Sequence, residues 1–369
     1  MKIMISGGGT GGHIYPAMAL AKKIRYIKQD TKIIWIGTGR ELEKELISKT
    51  DFQLEIIKSR GFRNSNVLDK FYSLFLLSIG FVQSIFLILK YKPDVILGMG
   101  GYACAPTVFA GIILRKKTAI FEPNVIMGRA NNFLEKWVDL ILVSHKQTLE
   151  GIPKSKSNFI GNIVREELYN NPSKKWAQSY FGLDPDKKSI LIFGGSQGSL
   201  IINNIMLDVF FNLSEMKNIQ FLHITGMKNY KLFKKRFLRI FGNKDVIDYK
   251  ILPYIHNMHF AYASADFIIS RAGANTIAEI IYLGIPSILI PFPHATDKHQ
   301  MKNAKVLGDI GAAIVIPEIE LSSISLTETI FSLIKDKKKL NKMGKLAKTL
   351  HQPKAVEKMT EALINLAEK

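Results

Sequence analysis

The chain has 369 residues, 47% of them apolar and 22% charged, which excludes a disordered chain and is about right for two domains. Its one cysteine, Cys104, excludes an intramolecular disulfide and a thiolate zinc cluster, and fits a reducing, cytosolic compartment. A formal net charge of +20 bears on partners rather than fold; without a basic stripe interleaved with aromatics or a nucleic-acid motif, it points to anionic lipid or phosphorylated substrates and away from nucleic acid.

The chain opens as a strand over residues 2–6, with no apolar run long enough for a signal peptide. Gly7-Gly8-Gly9-Thr10-Gly11-Gly12 follows, and then a helical pattern over 16–27. Strand, glycine turn and helix in that order open a doubly wound α/β domain. Gly7-x-Gly9-x-x-Gly12 matches the dinucleotide fingerprint. However, the second strand, 32–36, runs into Gly37-Thr38-Gly39-Arg40 without the acid that holds the ribose of NAD, which weighs against a nicotinamide-dependent oxidoreductase. His13 sits just after the loop, in the first turn of a helix, where the positive end of the dipole favours a neutral imidazole able to accept a proton. It is a candidate catalytic base; the alternative is a role in positioning a substrate or the loop.

Residues 71–89 contain 19 uncharged residues between Lys70 and Lys90, the length of a membrane span. A span would put the first glycine loop and a third one, Gly98-Met99-Gly100-Gly101-Tyr102 after the strand 95–97, on opposite sides of a bilayer. Loops at the carboxyl ends of parallel strands share one crevice, so the segment is expected to be a core helix or one that dips into a single leaflet. Ser73, Gly80 and Ser84 make only a narrow polar stripe on it. Arg60, Arg63, Lys70, Lys90 and Lys92 flank it, either as a solvated face or as a hold on anionic lipid headgroups.

Strands are expected next at 118–121 and 140–143, and a domain boundary near 161–165 with a looser polar stretch, 169–175, beyond it. The opening pattern then recurs: strand 189–193 enters Gly194-Gly195-Ser196-Gln197-Gly198-Ser199 and a helix over 200–211. Strands at 221–225, 267–269 and 287–291 continue the alternation, which argues for parallel sheets, and a Lys-rich helical stretch covers 340–369. One glycine loop alone is as well read as a tight turn, but three after strands point to a bound phosphate. Asp184-Pro185-Asp186 matches a metal-holding DxD pattern known from some sugar transferases, yet lies in a turn before its strand. His256 and His259 lack a third ligand, and His294, Asp297 and His299 cluster in a loop; no metal and no cofactor are expected.

The segments GGGTGGHIYPAMALA, GMGGYACAPTVFA, FEPNVIMGRANNFL, GNIVRE, ILIFGGSQGS, SRAGANTIAEIIYLGIPSILIPFP and DKHQMKNA occur in the order and approximate spacing of the MurG family, which the chain resembles over nearly its whole length. The resemblance implies an α/β protein of the GT-B glycosyltransferase type, with two Rossmann-like doubly wound domains facing across a cleft. Residues 1–163 plus 350–369 would form the acceptor and membrane-docking domain, and 164–349 the UDP-sugar domain, with a terminal helix crossing back to the first. The implied activity is inverting transfer of N-acetylglucosamine from UDP-N-acetylglucosamine to the 4-hydroxyl of undecaprenyl-pyrophosphoryl-MurNAc-pentapeptide, a step of peptidoglycan precursor synthesis. Such an enzyme would act peripherally on the cytoplasmic face of the cell membrane, against anionic lipids.

Carried over by motif, Thr10, Gly11, Gly12 and His13 would lie where acceptor and donor sugar meet, with Asn124 lining the same face. Arg165 and Ser196 would contact the donor diphosphate side, and Ile255 the uracil. Ala274, Thr276 and Glu279 would form the donor loop and helix, with Glu279 accepting from the ribose hydroxyls, and Gln300 would read hydroxyls of the N-acetylglucosamine. The chain departs from the family at Phe121-Glu122-Pro123-Asn124, where HEQN is usual, at Ile163 in place of Pro, and at Lys298 in place of a common Asn. The first departure bears on acceptor contacts. Other readings are a glycolipid synthase or UDP-N-acetylglucosamine epimerase on the same scaffold, and an inactive membrane scaffold, against which intact His13, Glu279 and Gln300 count.

Overall fold

The computed structural model describes residues 1–8, 11–61, 67–242 and 248–368; Thr10 and Arg63, singled out above, lie outside them. The chain divides into two compact units, Met1–Arg165 with Gln352–Lys369 (unit 1) and Glu166–His351 (unit 2).

Unit 1 is built on β1 (Lys2–Ser6), β2 (Lys32–Gly37), β3 (Gln53–Ile56), β4 (Val95–Gly98), β5 (Lys117–Glu122), β6 (Leu140–Val143) and β7 (Ser157–Phe159). They form one parallel sheet in the order β3-β2-β1-β4-β5-β6-β7. Unit 2 holds β8 (Lys188–Phe193), β9 (Ile219–Ile224), β10 (Asp248–Leu252), β11 (Phe267–Ser270), β12 (Ser287–Leu289) and β13 (Ala313–Val315), parallel in the order β10-β9-β8-β11-β12-β13. Each sheet reverses its direction of winding once, between β1 and β4 and between β8 and β11. A doubly wound sheet opens a crevice at that point, beyond the carboxyl ends of its strands.

Side-chain alternation sets the layers. Ile3 and Ile5 of β1 face a core shared with Leu20, Trp35, Met359 and Leu363, while Met4 between them faces another with Ile34, Val108 and Ile120. The first core is closed by the helices Gly11–Ile27 and Ala355–Ala367. In unit 2, Ile190, Ile192, Phe210, Phe221 and Phe267 occupy the equivalent layer.

Four strands are absent from the sequence reading: β3, β7, β10 and β13. Each lies at a sheet edge, and Asp248–Leu252 also alternates polar and apolar residues without a clear apolar run. The 287–291 strand ends at Leu289. The first helix begins at Gly11, so Pro16 lies inside it, and the terminal helical stretch is two helices, Lys337–Thr349 and Ala355–Ala367, separated by Lys354 at φ 61°.

The segment 71–89 lies in the 25-residue helix Val67–Tyr91, long and apolar enough by length and composition to cross a membrane. It is not a span, because β3 before it and β4 after it belong to one sheet. Nor is it a core helix. Its buried residues are Ser73, Gly80, Ser84 and Ile88, so the polar stripe faces inward and most of the apolar surface faces outward. Ser84 donates to Gly80 O at 2.7 Å and meets Thr107 Oγ1 at 3.3 Å on the helix Cys104–Ile113. A Cβ at Gly80 would stand 2.2 Å from Lys58 O, so only glycine allows this approach. Phe71 and Phe86, 66% and 67% exposed, mark the outward side.

Candidate functional site

At the crevice of unit 1, β1 and β4 end side by side, Ser6 in register with Gly98 and Met99 N donating to Ser6 O at 2.8 Å. The loops beyond them pack backbone on backbone. A Cβ on Gly7 would stand 2.7 Å from Met99 Cβ, and one on Gly101, at φ 79°, 3.0 Å from Gly8 O. Gly100, at φ 90°, lies under His13, whose Cε1 would be 3.0 Å from a Cβ there. Gly11 and Gly12 start the helix, and His13 Nδ1 lies 2.9 Å from Met99 O. A carbonyl only accepts, so Nδ1 carries the proton and the lone pair of the neutral ring sits on Nε2. The start of the helix Gly11–Ile27 and the loop 98–101 thus fix the imidazole between them. Tyr15, on the same helix, has the Arg165 guanidinium 4.3 Å from its ring centroid.

Two buried carboxylates that sequence reasoning missed shape this end of the sheet. Glu43 accepts from Thr38 N at 2.8 Å, Gly39 N at 2.9 Å and Trp35 Nε1 at 3.2 Å. Its Oε1 would be 2.5 Å from a Cβ on Gly8 and 2.3 Å from one on Gly37. It therefore occupies the end of β2, the region where a dinucleotide-binding acid would be sought, but its carboxyl group is committed to two backbone N–H groups and the Trp35 indole. Glu122, at the end of β5, accepts from Asn124 N (3.0 Å), Asn124 Nδ2 (2.8 Å), Gly128 N (2.8 Å) and Asn131 Nδ2 (2.9 Å). Burial pushes its carboxyl up from the ordinary range, against those donors. The clamp fixes the loop that carries Asn124. Of the departures there, Phe121 packs into the core and Pro123 offers its carbonyl to His145, whose imidazole burial pushes down to about 4.

In unit 2 the loop after β8 turns on Gly195 (φ 85°) and Gly198 (φ 74°), with Ser196 exposed and Ser199 capping the helix Leu200–Asn212. A Cβ on Gly198 would stand 2.1 Å from Thr225 O, so this loop is pressed onto the end of β9. Thr225 O also accepts from Asn203 Nδ2 at 2.9 Å, and Asn203 Oδ1 meets His223 Nε2 at 2.9 Å. His223 Nδ1 pairs with the Tyr249 hydroxyl. With Asn203 Nδ2 donating to a carbonyl, its Oδ1 accepts from His223 Nε2–H, and Nδ1 accepts from Tyr249. Burial pushes His223 down to about 3, in keeping with this neutral ring.

The adjacent strand β11 delivers Arg271, buried and also missed in the sequence. It donates to Ser199 Oγ at 2.9 Å, Ile290 O at 3.1 Å and Pro291 O at 3.2 Å, and pairs with Glu318. It ties the loops after β8, β11 and β12 together. Ala274, Thr276 and Glu279 lie on the helix Ala274–Leu283 that follows, with Glu279 buried and accepting from Tyr262 Oη at 2.5 Å. Gln300, second in the helix His299–Gly308, accepts from Phe292 N at 3.0 Å through Oε1. Lys298 before it has φ 54°, a left-handed conformation that Asn tolerates better than Lys. Ile255 is buried in the loop after β10. Ser196, Ala274, Thr276, Glu279, Gln300 and Ile255 thus all follow strand ends on one side of this sheet. Asp184-Pro185-Asp186 is a turn at the opposite end of β8, closed by Asp186 N donating to Asp184 Oδ1 at 2.9 Å.

Compared with known proteins, residues 3–143 match the glycosyltransferase family 28 N-terminal domain and 189–359 the family 28 C-terminal domain. A protein of Halothermothrix orenii named UDP-N-acetylglucosamine–N-acetylmuramyl-(pentapeptide) pyrophosphoryl-undecaprenol N-acetylglucosamine transferase is 38% identical, over 100% of this chain and 98% of its own. One of the same name from Bacillus cytotoxicus is 37% identical over 100% of both. Among solved structures, MurG of Acinetobacter baumannii superposes with a TM-score of 0.75 at 24% identity, covering 99% of each chain. UDP-GlcNAc 2-epimerase from Neisseria meningitidis, solved with UDP-GlcNAc bound, gives 0.72 at 15%, covering 99% of this chain and 100% of its own. At these identities the two structures share the fold.

Proposed function

The chain belongs to the MurG family within glycosyltransferase family 28, and on that premise we propose how its residues divide the work. It has the two-domain α/β fold of the GT-B type and transfers N-acetylglucosamine from a UDP donor to lipid-linked MurNAc-pentapeptide. The epimerase shares the fold at 15% identity, against 38% for the full-length transferase relative, and the epimerase and oxidoreductase readings are not favoured.

The finer reading is a single displacement with inversion at the anomeric carbon. His13 takes the proton of the acceptor 4-hydroxyl through Nε2. The observation that carries this role is the Nδ1–Met99 O hydrogen bond, which fixes the tautomer and leaves the lone pair on Nε2. Gly11, Gly12 and Asn124 line the acceptor face, with Thr10 assigned there by motif alone. The developing charge of departing UDP meets the N–H groups of 196–199 and the dipole of the helix Leu200–Asn212, with no metal required, and Arg165 is assigned to the diphosphate by motif alone. Ile255 meets the uracil, Glu279 the ribose, Ala274 and Thr276 the donor loop, and Gln300 the sugar.

The enzyme works peripherally on the cytoplasmic face of the membrane. The outward apolar side of Val67–Tyr91, with Lys70, Lys90 and Lys92 beside it, supports a reversible hold on anionic lipid.

The test is transfer of labelled N-acetylglucosamine from its UDP donor to lipid-linked MurNAc-pentapeptide. His13→Ala is expected to lower the rate about a hundredfold or more with donor affinity changed only a few-fold. An equal loss of donor binding would move His13 from proton transfer to donor recognition.

A further inference from the structure

The helix Met227–Phe241 of unit 2 carries Lys228, Lys231, Lys234, Lys235, Arg236 and Arg239 and no acidic residue. Phe233 and Phe241 turn inward, with Phe237 beside them in the core. At about 100° per residue the opposite side is led by Lys231, Lys235, Lys228 and Arg239, all exposed. The ion pairs described in unit 2 include those of Lys174, Lys175, Lys187 and Arg271, and none of these four cations lies on this helix. Arg236 donates to Asn204 Oδ1 at 2.7 Å, and Lys234 lies 5.7 Å from the Tyr230 ring centroid. The outer charge is therefore neutralised by nothing in the fold that is described.

Leucines accompany that charge. Leu232 and Leu238, 57% and 49% exposed, flank the lysine face on either side, and Met227 stands at its start, 67% exposed. A solvated basic face gains nothing from them, and a nucleic acid would neutralise the lysines while leaving the leucines in water. The boundary between headgroups and acyl chains takes both, with lysine stems lying along the apolar layer and their ammonium groups among phosphates.

We propose that the outer face of this helix is a lipid-contacting surface of unit 2, binding anionic headgroups through Lys228, Lys231 and Lys235 and seating Leu232 and Leu238 in the boundary layer. It is independent of Val67–Tyr91, which belongs to unit 1.

Because Cys104 is buried and is the chain's one cysteine, Leu238→Cys in the full-length protein accepts an environment-sensitive dye at a single site. Its emission is expected to shift to the blue with phosphatidylglycerol-rich vesicles and to stay unchanged with phosphatidylcholine. Lys228→Glu, Lys231→Glu and Lys235→Glu together should weaken binding to the anionic vesicles by about tenfold or more at low salt, with UDP affinity and melting temperature unchanged. If the triple variant misfolds, the corresponding Gln variants should still show a several-fold loss. An unshifted dye, or charge variants that bind vesicles like the parent, would overturn the proposal. So would a dye response to duplex RNA at lower concentration than to vesicles, since the face would then be a polyanion site. Loss of transferase activity with vesicle binding intact would bear on the transfer reading and leave this one standing.

Discussion

At Gln300 the side-chain amide is already half committed. Its oxygen accepts from Phe292 N, so in the proposed sugar-reading role it is the Nε2 group that donates to a hydroxyl. Glu279 is held differently, by the Tyr262 hydroxyl in a buried setting. The two should therefore fail in separable ways. Glu279→Gln is expected to weaken competition by free UDP by roughly 1–3 kcal/mol. Gln300→Ala should leave that competition intact and relax discrimination between sugars epimeric at a ring hydroxyl. Equal responses of UDP competition to both changes would contradict the assignment. His223 makes a prediction about pH. Its folded value, about 3, lies below the ordinary 6.5, so below pH 6.5 the unfolded chain binds the extra proton and folding weakens. This contribution is complete above about pH 6.5 and is lost as pH falls from there toward 3. His223→Leu should unfold more easily at pH 7, having orphaned Asn203 and Tyr249, and should lose that part of the acid sensitivity in melting curves. None of these partnerships was legible in the sequence. A buried Arg271 or Glu43 is spelled like a surface charge, because its partners are backbone groups and distant side chains that only the fold brings near.

Elements were legible where backbone geometry leaves a mark on composition. Gly195, Gly198, Gly100 and Gly101 all sit at positive φ, so the turns that build the crevices require glycine and announce themselves. Central strands were equally plain, being buried on both faces, whereas β3, β7 and β13, at sheet edges, are short and less uniformly apolar. The helix Val67–Tyr91 was legible in extent but not in orientation. Periodicity shows a stripe of Ser73, Gly80 and Ser84 and does not say that the stripe faces inward. Here it does, because small side chains let two helices and the Lys58 carbonyl approach closely. The outward face should then tolerate polar change that the inner face does not. Phe71→Ser, Phe75→Ser and Phe86→Ser are expected to preserve the melting temperature and to reduce vesicle binding even at high salt, by about 1 kcal/mol or more each. Ile88→Ser should destabilise folding by roughly 2–5 kcal/mol. If the outward changes unfold the protein as readily, the segment is ordinary packing and membrane contact lies elsewhere.

At the scale of the whole molecule, both units repeat one scheme: a parallel sheet with a switch point, glycine loops beyond it, and a buried side chain holding loops at the strand ends, Glu43 the loop after β2 in unit 1 and Arg271 the loops after β8, β11 and β12 in unit 2. With N–H groups, a helix dipole and Arg165 assigned to the leaving diphosphate, turnover is expected to survive EDTA. Loss of most activity in chelator, restored by magnesium or manganese, would show that this charge stabilisation is insufficient. The connectivity also has a bearing on how the protein is made. Unit 1 is not finished by its first 165 residues: Ala355, Val356, Met359, Leu363 and Leu366 complete the core around Ile3, Ile5 and Leu20. On the ribosome those side chains emerge only after all of unit 2 has been synthesised, so the later-made unit has its full sequence first while the earlier one waits with an open apolar face. During that interval the nascent chain exposes surface that a chaperone would be expected to cover.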